Sequence, residues 1–153
     1  MPDLHMRIEA FFSGLKTLLD LLVQLLSSEG VVVEAVDGFH RVRGTYGGRV
    51  LNALANNASK SKKDIAGRVV DLLSEHKTDW IDQAISARDQ LVHPERGRQQ
   101  LMFELDFTEC PDRLVCVKVS PPTIGSEAID QYAHRVLERA REFSANFLST
   151  TVL

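Results

Sequence analysis

At 153 residues, with 44% hydrophobic and 25% charged side chains, the chain has the size and make-up of a single globular domain, 1–153. That excludes a disordered polyelectrolyte, and the length allows a core without covalent staples. The formal net charge of −3 points to no partner by itself, but its distribution is uneven. Residues 38–63 hold six basic side chains (Arg41, Arg43, Arg49, Lys60, Lys62, Lys63) and no acidic one, leaving 12 basic against 21 acidic elsewhere. The run reads either as a solvated surface or as a positive face for phosphates, with Arg41, Arg43, Lys60, Lys62 and Lys63 as RNA-binding candidates.

Leu4, Ile8, Phe11, Phe12, Leu15, Leu18, Leu19, Leu22, Leu25 and Leu26 recur at helical spacing and predict a long amphipathic helix over about 4–27, stopped by Gly30. The stripe is wide enough to face both a core and a neighbouring helix or subunit. Lys16, Asp20 and Gln24 interrupt it, and no basic leader or small-residue cleavage site flanks it. It therefore reads as neither a membrane span nor a signal peptide. Residues 31–48 are rich in glycine and β-branched residues, which predicts an irregular stretch or short helix before a second helix over about 45–56. Phe39 and Tyr46 in this stretch read as core rings, with stacking on RNA, beside His40, as the weaker role.

Ser61 followed by Asp64 reads as a helix cap with an acidic first turn. The apolar spacing then runs to Leu91 as either one bent helix or two, the second capped by Thr78 after a break near 74–77; Pro94 closes the run. Leu101, Phe103, Leu105 and Phe107, then Val115, Val117 and Val119, alternate with other residues on either side of Pro111–Asp112. This pattern predicts one β-hairpin, about 101–119, with that set buried against a helix. Cys110 and Cys116 flank its turn. Two cysteines are too few for a disulfide framework in so long a chain, and without a nearby histidine they make a poor zinc site. We expect a reducing, cytoplasmic setting and no metal or cofactor. A final helix, capped by Ser126, carries Ile129, Tyr132, Val136, Leu137, Ala140, Phe143, Phe147 and Leu148. The whole reads as a mainly α domain with a hairpin inserted before its last long helix.

P-loop, nucleophile-elbow and zincin signatures are absent from the sequence. One run carries chemistry: Arg88-Asp89-Gln90-Leu91-Val92-His93, followed by Pro94. Asp89 and His93 are four apart and share a helix face; Arg88 lies about 140° round from His93, within reach if the last turn unwinds. A guanidinium, a carboxylate and an imidazole so placed can hold a phosphate and move a proton. The same residues also suit a surface ion pair with a histidine capping the helix end.

This run matches R-x4-H with a polar residue after the arginine, and in that it resembles the HEPN superfamily. The resemblance extends loosely over the chain: a long first helix, a second helix after a glycine-bearing segment, and the motif late in the helix that follows. The hairpin departs from a bare bundle. The resemblance implies a HEPN-like helical bundle, often homodimeric, with two motifs meeting across the dimer. It implies Arg88, Asp89 and His93 as the catalytic residues of a metal-independent endoribonuclease acting in defence or toxin–antitoxin systems. RNA, a second copy and a cognate antitoxin such as a nucleotidyltransferase are the implied partners. It also allows an inactive HEPN-like interaction domain that binds a protein partner or nucleotide. A nucleic-acid-binding regulator that uses the basic segment without cleaving is a further alternative.

Overall fold

The computed structural model describes residues 2–92, 104–111 and 113–152. It is mainly helical. Helix α1 spans Pro2–Ser28, α2 Gly48–Asn56, α3 Lys63–His76, α4 Asp82–Val92 and α5 Ile129–Thr151. A π-turn, Lys77–Ile81, joins α3 to α4 in one continuous helical run. Packing of α1 on α4 and α5, and of α3 on α5, builds the core.

Helix α1 ends as its sequence dictates. Gly30 takes φ +64°, and the amides of Gly30 and Val31 turn back onto the carbonyls of Ser27 and Leu26. A left-handed residue satisfies the last carbonyls of a helix in this way. The face Ile8, Phe12, Leu15, Leu19, Leu22, Val23 and Leu26 is buried. By length and mean hydropathy (1.4 over its most apolar window) His5–Ser28 could nonetheless cross a membrane, so the interrupting charges exclude less than the sequence reading supposed. The two charges, Lys16 and Asp20, pair with each other one turn apart.

Helix α2 starts at Gly48, not near Thr45, because Thr45 is tied to Val42 in a tight turn and Gly47 (φ +68°) precedes the first helical residue. Ser61 does not cap α3. It lies in a 3-10 turn, Lys60–Lys62, with its hydroxyl 3.2 Å from that of Ser59. Thr78 caps nothing either, since the chain stays helical: the Asp82 amide donates to the Lys77 carbonyl five residues back. The extra residue in that turn advances the helix face. Ala66, Val69, Leu73 and His76 are buried before it, and Trp80, Ile81, Ala84, Ile85 and Leu91 from it onward.

Phe143 of α5 packs against His76 (5.2 Å between centroids), Trp80 (6.1 Å) and Phe147 (5.6 Å). The Trp80 indole N–H donates to His76 Nδ1 at 3.0 Å, so the imidazole is neutral there and carries its proton on Nε2. Burial, reinforced by Arg139, holds the His76 pKa below its ordinary value.

The hairpin is the largest departure from expectation. Strands β1 (Glu104–Cys110) and β2 (Arg113–Ser120) pair antiparallel, but the register shifts between Asp106 and Phe107. Leu105 lies opposite Val119, whereas Phe107 lies opposite Cys116 and Glu109 opposite Leu114. A bulge therefore moves Leu114 and Cys116 onto the Phe107 face and Val115 onto the other. The apolar face is not buried: Leu105, Phe107, Leu114, Val117 and Val119 are 48–67% exposed. The helices, the α1–α2 connection and Ile124 close the core without this hairpin, and its two strands have chiefly each other as partners. Leu101 and Phe103 lie outside the described residues. Phe107→Ala should thus change the free energy of unfolding by less than ~1 kcal/mol in urea titration, well below the 3–5 kcal/mol typical of a core phenylalanine. A core-sized loss would place Phe107 in a buried interface.

A second, two-residue hairpin pairs β3 (Thr123–Ile124) with β4 (Glu127–Ala128). The sequence pattern missed it. Ser126 sits in its turn beside Gly125 (φ +62°) and does not cap α5, which begins after Ala128. Arg135 of α5 clamps Glu127 through its Nε and Nη2.

Candidate functional site

Arg88 and Asp89 lie on the last described turns of α4, and Arg88 Nη1 donates to Asp89 Oδ1 at 3.0 Å. Arg88 Nε is buried without a hydrogen-bond partner among the described residues. His93 follows Val92, the last residue of α4, and lies outside the described residues, as does Pro94. The partner seen for Asp89 is therefore Arg88.

The two residues open on a polar cleft of about 410 Å³. Lys16, Thr17 and Asp20 of α1 form one wall, and His40, Arg41 and Tyr46 from the α1–α2 connection form another. Asp20 organises that junction: it pairs with Lys16 and accepts the Phe39 amide at 2.6 Å. Gly38 permits the approach, since a Cβ there would lie 2.8 Å from Asp20 Oδ1 and 2.9 Å from His40 Nε2. The imidazole of His40 stands 3.5 Å from Asp37 Oδ1, which also accepts from Arg49 at 2.8 Å.

Three cations, Lys16, Arg41 and Arg88, thus converge from three elements, with two carboxylates and one imidazole beside them. Lys16 and Arg88 each have an acidic neighbour, while Arg41 has no carboxylate partner among the described residues. The arrangement suits an anion of low charge, held by a guanidinium that a neighbouring carboxylate keeps in place.

The basic segment is divided by the fold. Arg41 reaches the cleft, and Arg43 stands at the tip of the turn beyond it. Lys60, Lys62 and Lys63 sit at the start of α3, the opposite end of the α3–α4 run from Arg88, roughly 40 Å away along a helix of that length. There the Lys62 ammonium donates to the Glu29 carbonyl. No single phosphate can touch both groups.

Phe39 is a core ring, as the sequence suggested, and Tyr46 packs on the core at half burial while also lining the cleft. Lys16 escaped the sequence reading, whereas Tyr46 was read there as a core ring first and an RNA-stacking ring second. The signal for Tyr46 was Val42-Arg43-Gly44-Thr45, a Gly-containing pair between β-branched residues, which is a tight-turn pattern that sets its two flanking residues side by side. Among the described residues no three His, Cys, Asp or Glu side chains stand together as metal ligands. Cys116 is a free, exposed thiol.

The chain matches no protein-family model, no curated protein and no solved structure, so the geometry of the cleft stands alone.

Proposed function

We propose that the chain is a metal-independent endoribonuclease of HEPN type, built on a HEPN-like bundle and acting in the cytoplasm in a defence or toxin–antitoxin role. The observation that carries this reading is the Arg88–Asp89 pair near the end of α4, five and four residues before His93 in sequence and open to a cleft with Lys16, His40 and Arg41. The 2′-hydroxyl of RNA attacks the adjacent phosphorus, and the P–O5′ bond breaks. His93 takes the hydroxyl proton or supplies the one gained by the departing 5′-oxygen, and water serves the other transfer. Arg88 holds the non-bridging oxygens as charge builds on phosphorus, and Asp89 fixes the guanidinium. The products are a 2′,3′-cyclic phosphate and a 5′-hydroxyl end. Purified protein should therefore cut RNA in EDTA and spare DNA, which lacks the nucleophile.

A homodimer and a cognate antitoxin such as a nucleotidyltransferase belong to the same proposal. In support of the dimer, α1 keeps a second apolar strip that the described residues leave partly uncovered: Leu21 is 57% exposed beside half-buried Leu18 and Leu25. A symmetric pair of such strips is an isologous contact. Sedimentation equilibrium at tens of micromolar should show a dimer, and Leu21→Glu a monomer. A wild-type monomer would count against a composite site.

The second reading is a catalytically inactive HEPN-like interaction domain that binds a protein partner or nucleotide. The uncovered apolar face of the β1–β2 hairpin favours it, because contiguous exposed apolar surface is characteristic of binding sites.

A further inference from the structure

The turn between Arg41 and Tyr46 has a specific geometry. Val42 and Thr45 exchange both backbone hydrogen bonds at 3.0 Å across Arg43 (φ +49°) and Gly44 (φ +85°). Two successive left-handed residues make a tight hairpin turn of the type whose twist keeps its flanks together. The next pair outward is Arg41 and Tyr46, so their side chains are cross-strand neighbours. The guanidinium carbon of Arg41 lies 5.0 Å above the Tyr46 ring. Gly47 follows, and a Cβ there would lie 2.2 Å from the buried Phe39 ring, so the backbone after Tyr46 is pressed onto the core. The turn thus presents Arg41, stacked over the half-buried Tyr46 ring, to the cleft that holds Arg88.

We propose that Arg41 and Tyr46 form a nucleobase-stacking subsite beside the phosphate position at Arg88, and that it selects single-stranded RNA. This rests on reading the cleft as the RNA site. Aromatic rings and arginine planes are the surfaces on which proteins hold unstacked bases, because every base offers a π-face to them. A cleft of about 410 Å³ lies within the roughly 300–1,000 Å³ of small-ligand sites, room for a nucleotide but not for a duplex. A base inside a duplex is already stacked on both sides and reaches Tyr46 only by leaving its pair.

The test is fluorescence anisotropy with a labelled 2′-O-methyl RNA tetranucleotide, which cannot be cleaved, against a longer 2′-O-methyl duplex, at fixed salt. Wild-type protein should bind the single strand and bind the duplex far more weakly. Tyr46→Ala should weaken single-strand binding roughly tenfold or more, and Arg41→Gln should also weaken it, while Tyr46→Phe should stay within about twofold of wild type. Circular dichroism should show all three variants folded; should Tyr46→Ala unfold, Tyr46→Leu takes its place. The proposal is overturned if wild type binds neither probe, if duplex binds as tightly as single strand, or if the Tyr46 and Arg41 variants bind like wild type. Failure of the ribonuclease reading is distinguishable: Tyr46-dependent binding of the uncleavable strand, with no cutting of ordinary RNA, keeps the subsite and removes the enzyme.

Discussion

Replacing His93 with alanine is expected to slow RNA cleavage by roughly 10²–10⁴-fold, the usual worth of a positioned general acid or base. Arg88→Ala should be comparably severe, about 10²–10³-fold, because it removes the charged donor facing the developing phosphorane. Asp89→Ala should be milder. Its carboxylate touches Arg88 Nη1 and restrains the guanidinium, so its loss leaves the cation in the cleft but less well aimed. Arg88→Lys should not rescue the rate, since an ammonium cannot reproduce a two-pronged contact with phosphate oxygens. Arg88 and Asp89 are about a third or less exposed and stand outside the aromatic core, so the variants should keep the wild-type circular dichroism spectrum. Cleavage assays on matched, folded samples separate this from a surface ion pair, whose removal would leave the rate unchanged.

Trp80→Ala is expected to cost about 3–5 kcal/mol of folding free energy, the range for truncating a buried large aromatic. Trp80 is fully buried, lies edge-on to Phe143 and donates to His76. The substitution opens a cavity and also leaves a buried imidazole nitrogen without its donor, a further cost. Denaturant titration followed by far-ultraviolet circular dichroism measures the loss. The burial of His76 also makes the protein acid-sensitive. The His76 pKa is lowered in the folded state, first by burial, so the unfolded chain binds the proton more readily. Stability is full above the ordinary histidine value of about 6.5 and falls as pH drops below it. His76→Gln should flatten that part of the stability–pH curve, and an unchanged slope would show that other groups cause it.

The helices were legible because each is written as a 3.6-residue repeat of large apolar side chains. Leu15, Leu19, Leu22 and Leu26, then Val69 and Leu73, then Ile129, Tyr132, Val136, Ala140, Phe143 and Phe147 are buried as their spacing predicts. Leu18, Leu25, Ile65 and Leu72 are instead half-buried, and Leu137 and Leu148 are exposed. What failed were decisions in which a local signal competed with context. Ser61, Thr78 and Ser126 are good caps in isolation, yet Ser61 fell in a 3-10 turn, Thr78 in a π-turn and Ser126 in a two-residue hairpin. The strand alternation around Pro111 correctly marked a hairpin. Alternation alone fixes neither a bulge nor what lies beneath a face, and both burial and register departed from it. At the cleft, Arg88 and Asp89 were visible from a short motif. Lys16, His40, Arg41 and Tyr46 come to them only through the fold, and Lys60, Lys62 and Lys63 are carried away by it.

The most direct measurement is the chemistry of the cut ends. Wild type, Arg88→Ala/His93→Ala and buffer are incubated in EDTA with several end-labelled single-stranded RNAs, free of any co-purified antitoxin, and the new termini are identified by mass spectrometry. The account predicts 2′,3′-cyclic phosphate and 5′-hydroxyl ends from wild type alone. Cutting that persists undiminished in the double variant, or no cutting by wild type on any RNA, would contradict it.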